Sequence, residues 1–309
     1  MSGVPGREER RPTLGEEWRS AAERLREAGV GDAEANAELL LLHALGIDKA
    51  ELLCDWREPL PEERRAEWER LLARKAAGEP AQYLIGEQAF CGRRFEVTPG
   101  VLIPRPETEL LAEAVLREAE RWKGEALTAL DVGTGSGALA VTLAAERPAW
   151  RVVASDLSAD ALEVARRNAR ANGVAERIAF VEGDLLEPFI PAARGGAAEA
   201  GGADGLAVDI LVSNPPYIPS GDLAGLQREV RDHEPRLALD GGPDGLQPYR
   251  RMAARLKLLP RLPRLVAWEV GAGQAPDVAA LLRAAADWRD IRFVRDYAGI
   301  ERHVLAIQA

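Results

Sequence analysis

The sequence predicts an α/β protein: a mostly parallel sheet with helices on both faces, preceded by a small all-helical domain. Three observations point there. No strand-like run occurs before residue 80. From about residue 126, short apolar runs alternate with helical patterns, the signature of strands joined by crossover helices. Between the two lies a stretch broken by Pro80, Gly86, Gly92, Pro99, Gly100 and Pro104, which reads as a linker carrying a hairpin. At 309 residues, 47% hydrophobic and 29% charged, the chain is long enough for two domains and apolar enough to bury their cores.

Residues 1–13 are polar, contain Pro and Gly, and are expected to be disordered. Trp18, Ala22, Leu25 and Ala28 then recur at helical spacing, with Gly29 as a stop. Asp32 is placed to cap a second helix that runs through 39–42 to Leu45 and closes at Gly46; Asp48 is placed to cap a short third. Pro61 opens a fourth, with Trp68, Leu71 and Leu72 on one face and Gly78 at its end. These helices define a domain over 14–79. Over 80–105, Phe90 and Phe95 flank Cys91-Gly92-Arg93-Arg94, a hairpin pattern. Pro106 opens a helix bearing Leu110, Leu111, Val115 and Leu116, and with it a domain over 106–309. Its expected strands are 127–132, 151–155, 178–181, 208–213 and 265–270. A closing hairpin, 291–295 and 302–307, turns at Tyr297-Ala298-Gly299. The Ala- and Gly-rich stretch 192–205 reads as a flexible insertion without assigned chemistry.

The formal charge is −10, from 40 basic and 50 acidic residues, which argues against a nucleic-acid partner. Basic runs at Arg64-Arg65 and 70–75 are mixed with Glu at helical spacing and read as a solvated face. The cysteines, Cys54 and Cys91, and the histidines, His43, His233 and His303, show no zinc-ligand spacing and no disulfide framework. No run approaches the ~18–20 apolar residues of a membrane span, and no apolar stretch follows the N-terminal arginines as in a secretory signal. A cytoplasmic protein in a reducing compartment is expected.

The first strand of the sheet ends in Asp131-Val132-Gly133-Thr134-Gly135-Ser136-Gly137 before a helix. Such glycines let a ligand approach the backbone, and a helix N-terminus favours an anion. The third glycine stands at offset four from the first, whereas the dinucleotide fingerprint needs offset five, here Ala138. Asp131 would repel a pyrophosphate but tolerate a sulfonium or ammonium group, so a zwitterionic amino-acid tail fits the mixture better. Asp156 ends the second strand, 23 residues after Gly133, where a carboxylate can accept from both ribose hydroxyls. Asp184 ends the third strand and could accept from an adenine amino group, with Leu185 against the ring. The ligand implied is S-adenosyl-L-methionine.

The fourth strand runs into Asn214-Pro215-Pro216-Tyr217. An amide nitrogen is a poor nucleophile because its lone pair is delocalised. Two acceptors on its N–H groups, the Asn214 side-chain oxygen and the Pro215 carbonyl, would aim the lone pair at the methyl donor. They would also stabilise the charge that develops. The two prolines preorganise that pair, and Tyr217 offers a flat face for a planar amide or base.

These segments resemble the release factor glutamine methyltransferases, the PrmC/HemK family, over nearly the whole chain from about residue 20. The resemblance rests on 78–86 (GEPAQYLIG), 101–109 (VLIPRPETE), 131–137, 213–218 (SNPPYI), Glu234-Pro235 and 240–246. It implies a seven-stranded Rossmann-like class I methyltransferase sheet, a hairpin linker, and an N-terminal domain that grips the release factor. The implied activity is methylation of N5 of the glutamine in the Gly-Gly-Gln tip of peptide-chain release factors, which tunes translation termination. S-adenosyl-L-homocysteine would be the second product, and the enzyme is expected to be a monomer. Gly133, Thr134, Gly135, Ser136, Gly137, Asp156, Asp184, Leu185 and Asn214 match the family's cofactor positions; Asn214, Pro215, Pro216 and Tyr217 match its glutamine-binding motif.

The chain departs from the family in the length of the 192–205 insertion and in 259–264 (LPRLPR) replacing a Gly-Gly turn. His233 stands where an aromatic residue is usual; a structural or surface role is expected of it, and a structural anion is expected of Glu269. Competing readings are an amino-directed DNA or RNA methyltransferase, the sister ribosomal-protein glutamine methyltransferases, and a non-catalytic sensor of an adenosyl ligand.

Overall fold

The computed structural model describes residues 10–191 and 205–308, which form two compact units. The first comprises the chain up to Gly86 together with Arg228–His233; the second comprises the remainder. Among the described residues, no helix is long and apolar enough to cross a membrane.

The first unit contains α1 (Leu14–Glu27), α2 (Ala33–Leu45), α3 (Lys49–Cys54), α4 (Glu62–Ala76) and α5 (Ala81–Ile85). Disorder was expected through residue 13, yet Thr13 is ordered: it forms a capping box with Glu16 and bridges to Pro59. Residues 1–9 lie outside the described residues. Asp48 caps α3 through a capping box with Glu51. Asp32 makes no side-chain cap, because its backbone is left-handed (φ 48°) and an N-cap side chain reaches the first N–H groups from the extended region. Leu25, Leu40, Leu41, Trp68 and Leu71 fill the core, and Ala81 and Leu84 of α5 join it. Residues 81–85, which the sequence placed in the linker, are therefore helical because they have apolar surface to bury here.

The second unit opens with the hairpin β1 (Glu87–Phe90) and β2 (Arg93–Glu96), turned at Cys91 and Gly92, both with positive φ. Then follow α6 (Pro106–Glu118), β3 (Thr128–Val132), α7 (Ala138–Glu146), β4 (Arg151–Asp156), α8 (Ala159–Ala171), β5 (Ile178–Glu182) and β6 (Ile210–Ser213). The chain continues through α9 (Arg228–His233), which belongs to the first unit, into α10 (Gln247–Arg255), β7 (Leu265–Glu269), α11 (Ala275–Ala285), β8 (Asp290–Arg295) and β9 (Glu301–Ile307). Residues 192–204 of the expected insertion lie outside the described residues.

The seven strands run in the order β5-β4-β3-β6-β7-β9-β8; β9 is antiparallel to both of its neighbours and the other pairings are parallel. Strands buried on both sides need apolar residues of both parities, and these supply them. Ile210 and Val212 of β6 enter one core with Leu111 and Val115 of α6, while Leu211 enters the other with Tyr249 and Met252 of α10. In the stretch that departs from the family, Arg261 and Arg264 pair with Asp209 at 2.5 and 3.3 Å. Asp209 in turn accepts from the Thr128 N–H at 2.9 Å, so this substitute turn anchors the entry to β3. The strand order reverses between β3 and β6, and sheets of this kind bind ligands beyond the carboxyl ends at such a point.

Candidate active site

At that point lies a cavity of about 320 Å³. The loop after β3 lines it with Gly133, Thr134, Gly135 and Ser136; the ends of β4 and β5 add Asp156, Leu157, Asp184 and Leu185; β6 adds Asn214 and Pro216. Thr108 and Arg105 close one side, and Leu237, Asp240 and Arg251 another.

Gly133 and Gly135 have φ of +71° and +54°, and a Cβ on either would meet no atom of the described residues within 4 Å. Their bare backbone therefore gives a ligand close access. Gly137 belongs to the helix instead: it caps α7 and does not line the cavity. Asp131 does not line it either. It lies buried below the loop, where Oδ2 accepts from the Thr134 hydroxyl (2.6 Å) and the Ala140 N–H (3.1 Å). Among the described residues its Oδ1 has no partner, and burial pushes the carboxyl up to about 7. The acid thus braces the loop and keeps acceptor capacity in reserve, which suits a cationic ligand group nearby.

Asp156 is held by backbone donors: Oδ2 accepts from Gly135 N–H at 2.8 Å and Oδ1 from Ser158 N–H at 2.9 Å. Each oxygen retains a lone pair for a hydroxyl. Asp184 is not alone, since Arg251 of α10 donates to its Oδ2 at 2.7 Å. Leu185 in the cavity wall has φ +52°, a conformation a side-chain-bearing residue adopts at some cost, and such costs cluster at ligand sites.

Asn214 Nδ2 donates to Thr108 Oγ1 at 3.1 Å, and the Thr108 hydroxyl donates to Glu269 Oε2 at 2.7 Å. Asn214 Oδ1 is left as the acceptor this side chain can offer. Pro215 is buried and Tyr217 half-buried; neither is in the cavity lining. The Tyr217 ring packs on the α10–α11 side of the core, its carbonyl accepts from Gln274 Nε2 at 2.9 Å, and burial raises its hydroxyl to about 12. The flat-face role expected of Tyr217 is thus not one the cavity wall displays. His233 is half-buried at the end of α9 and is not among the residues that line the cavity.

The 240–246 loop buttresses the Asn-Pro-Pro-Tyr segment. Ile218 N–H donates to the Leu239 carbonyl (3.0 Å) and Gly241 N–H to the Ile218 carbonyl (2.8 Å). Gly245 approaches so closely that a Cβ would fall 2.2 Å from the Tyr217 carbonyl oxygen. Asn168 of α8 ties the hairpin to the glycine loop: its Oδ1 accepts from Glu96 N–H (2.7 Å), and its Nδ2 donates to the carbonyls of Glu96 (3.0 Å) and Ser136 (2.8 Å). Thr108, Arg251, Asn168 and Gln274 carried no site signal in the sequence beyond the presence of Thr108 in the 101–109 segment.

Open glycine backbone, two carboxylates and apolar Leu157 and Leu185 fit a ligand that joins a nucleoside to a charged amino acid. The aimed amide oxygen beside them fits a nitrogen bearing N–H groups.

Residues 16–86 match the family described as PrmC N-terminal domain, and 129–196 match a methyltransferase domain family. The release factor glutamine methyltransferase of Moorella thermoacetica is 43% identical over 296 residues, covering 96% of this chain and 97% of its own. The enzyme of the same name from Bacillus cereus is 40% identical over 277 residues (89% and 93%), and that from Bacillus subtilis 39% over 300 (96% and 98%). Among solved structures, the hMettl16 catalytic domain in complex with the MAT2A 3'UTR hairpin 6 superposes with a TM-score of 0.53 at 17% identity, covering 77% of this chain and 81% of that one. At that identity the likeness shows the α/β methyltransferase fold alone.

Proposed function

This chain belongs to the release factor glutamine methyltransferase family, and on that footing we propose that it methylates N5 of the glutamine in the Gly-Gly-Gln motif of peptide-chain release factors. The observation that carries the reading is the Asn214 carboxamide: its nitrogen is engaged by Thr108, and its oxygen is left as an acceptor at a cavity with open glycine backbone.

When bound, S-adenosyl-L-methionine supplies a methyl group made electrophilic by a sulfonium centre, and S-adenosyl-L-homocysteine is the by-product. Gly133, Thr134, Gly135 and Ser136 would hold its amino-acid end, Asp156 its ribose hydroxyls, and Asp184 with Leu185 its adenine. Asn214 Oδ1 and the Pro215 carbonyl would accept from the two N–H groups of the substrate carboxamide and aim its lone pair at the methyl donor. As the nitrogen gains its new bond, the same acceptors stabilise the growing positive charge until one N–H proton passes to water, an interaction stronger in the transition state than before it. The helical unit over 14–79 is assigned to grip the release factor. The setting proposed is the cytoplasm, as a monomer without nucleic acid; the −10 charge and the free thiols Cys54 and Cys91 support it.

Mass spectrometry of a purified release factor after incubation with enzyme and S-adenosyl-L-methionine tests the reading. One methyl gained at the motif glutamine is expected; labelling of DNA or RNA instead would reverse it. Asn214→Ala is expected to abolish turnover while S-adenosyl-L-homocysteine still binds.

A further inference from the structure

The Asn214 carboxamide can face a substrate in two ways that differ by half a turn, one presenting oxygen and the other nitrogen. Only the first suits a nitrogen that carries N–H groups. What selects it lies behind Asn214, in two residues far away in sequence. Thr108, in the first turn of α6, stands between the Asn214 amide and the carboxyl of Glu269 at the end of β7. A hydroxyl has one hydrogen to give. With a carboxylate at 2.7 Å on one side, that hydrogen goes to Glu269, and the Thr108 oxygen can only accept on its other side. The group it meets there must then be a donor, so Asn214 turns its NH₂ inward, 3.1 Å from Thr108, and its oxygen outward.

We infer that Glu269 and Thr108 are positioning residues that fix the polarity of the Asn214 carboxamide, through a hydrogen-bond chain running one way from Asn214 to the buried carboxylate. The inference rests on the proposed role of Asn214 as acceptor and deepens it. The chain runs this way only while Glu269 is ionised. A protonated Glu269 can donate to Thr108, which then donates to Asn214, and the carboxamide turns round to present NH₂ to a substrate that needs an acceptor.

Glu269 is 1% exposed, and burial pushes its carboxyl up to about 7. Several groups face it. Arg105 and Glu107 come from the start of α6, Arg302 and His303 from β9, Tyr217 from the segment after β6, and Tyr249 from α10. Arg302 and Arg105 favour the carboxylate and Glu107 opposes it. His303 stands 3.8 Å away, and burial lowers its imidazole to about 4, so near neutral pH it brings no charge. The Tyr249 hydroxyl donates to the Glu269 main-chain carbonyl at 2.7 Å and leaves the carboxyl to Thr108. Activity should accordingly be full above about pH 7 and fall as Glu269 gains its proton.

The test compares kcat from pH 5.5 to 9, at saturating S-adenosyl-L-methionine and release factor, for wild type, Thr108→Val, Thr108→Ser and Glu269→Gln. Equilibrium binding of S-adenosyl-L-homocysteine is the second readout. Wild type should lose about tenfold per pH unit on the acid side. Thr108→Val should lose about 10²-fold in kcat at pH 8, whereas Thr108→Ser, which keeps the hydroxyl, should retain the wild-type profile. In Glu269→Gln the acid limb should vanish, leaving a low, flat profile, because a side-chain amide can give or take a hydrogen bond at any pH. Binding of S-adenosyl-L-homocysteine should be unchanged in all of them. A wild-type kcat in Thr108→Val, or an acid limb that survives in Glu269→Gln, overturns the inference. If Thr108→Val does not fold, the Glu269→Gln profile decides. Wild-type turnover in Asn214→Ala would instead sink the underlying assignment of Asn214, so the two failures are told apart.

Discussion

Replacing Gly245 by alanine tests whether the 240–246 loop sets the geometry of the Asn-Pro-Pro-Tyr segment. The residue has φ +75°, where an added Cβ costs about 1–2 kcal/mol by itself. That Cβ would also stand 2.2 Å from the Tyr217 carbonyl oxygen and 2.5 Å from Gln274 Nε2. Both neighbours are fixed, because Gln274 holds that carbonyl at 2.9 Å and takes the Gly271 N–H at the same distance. Ordinary contact needs about 3.4 Å, so the Tyr217 peptide must move by roughly 1 Å. Pro215 and Pro216 transmit such a shift to Asn214 with little give, and a misplacement of this size costs about 10²-fold in rate. The expected result is a kcat for release-factor methylation lowered by about that factor, with S-adenosyl-L-homocysteine binding within about threefold of wild type, since the glycine loop is untouched. Calorimetric binding alongside single-turnover methylation measures both. Wild-type kcat in a folded Gly245→Ala protein would refute the buttress.

Three further outcomes follow from the geometry. A carboxyl whose folded pKa is raised favours the fold while protonated, so Glu269 contributes fully below about pH 4.5 and loses that contribution as pH rises through about 7. Urea unfolding should therefore show Glu269→Gln gaining about 3 kcal/mol on wild type between pH 4.5 and 8; a pH-independent difference would contradict the burial. Asp184→Ala should weaken S-adenosyl-L-homocysteine binding about tenfold with kcat at saturating cofactor near wild type, and unchanged binding would remove Asp184 from the adenine site. Asn168→Ala deletes three hydrogen bonds worth about 1 kcal/mol each. Amide exchange at Glu96 should quicken accordingly, and unaltered exchange would show the hairpin is held by other means.

The sheet was legible because its strands are short apolar runs with turn residues on either side, and hydrophobic burial on both faces leaves such runs few alternatives. Gly133, Gly135, Asp156, Asp184 and Asn214 could be read as lining one cavity because each stands at the carboxyl end of a strand, where such a sheet opens its crevice. The Thr108–Asn214–Glu269 chain could not be read. Its members are separated by 106 and 161 positions, and they meet through the register of β6 and β7 and the docking of α6. That Asp131 acts from beneath the loop was hidden for a related reason: the end of a strand can point below a loop as well as into it. Asp32 and residues 81–85 depended on left-handed backbone in one case and on tertiary burial in the other, neither of which propensity reports.

Lys75 is fully buried in the helical unit, and its ammonium lies 2.6 Å from Glu229 of α9, a segment more than 140 residues further along that folds with the same unit. The helical unit is thus completed by six residues borrowed from the far side of the polypeptide. A fragment severed after Gly86 would leave Lys75 stranded without its counter-charge, a loss on the order of 3 kcal/mol. Grafting this helical unit onto another protein would require two junctions rather than one.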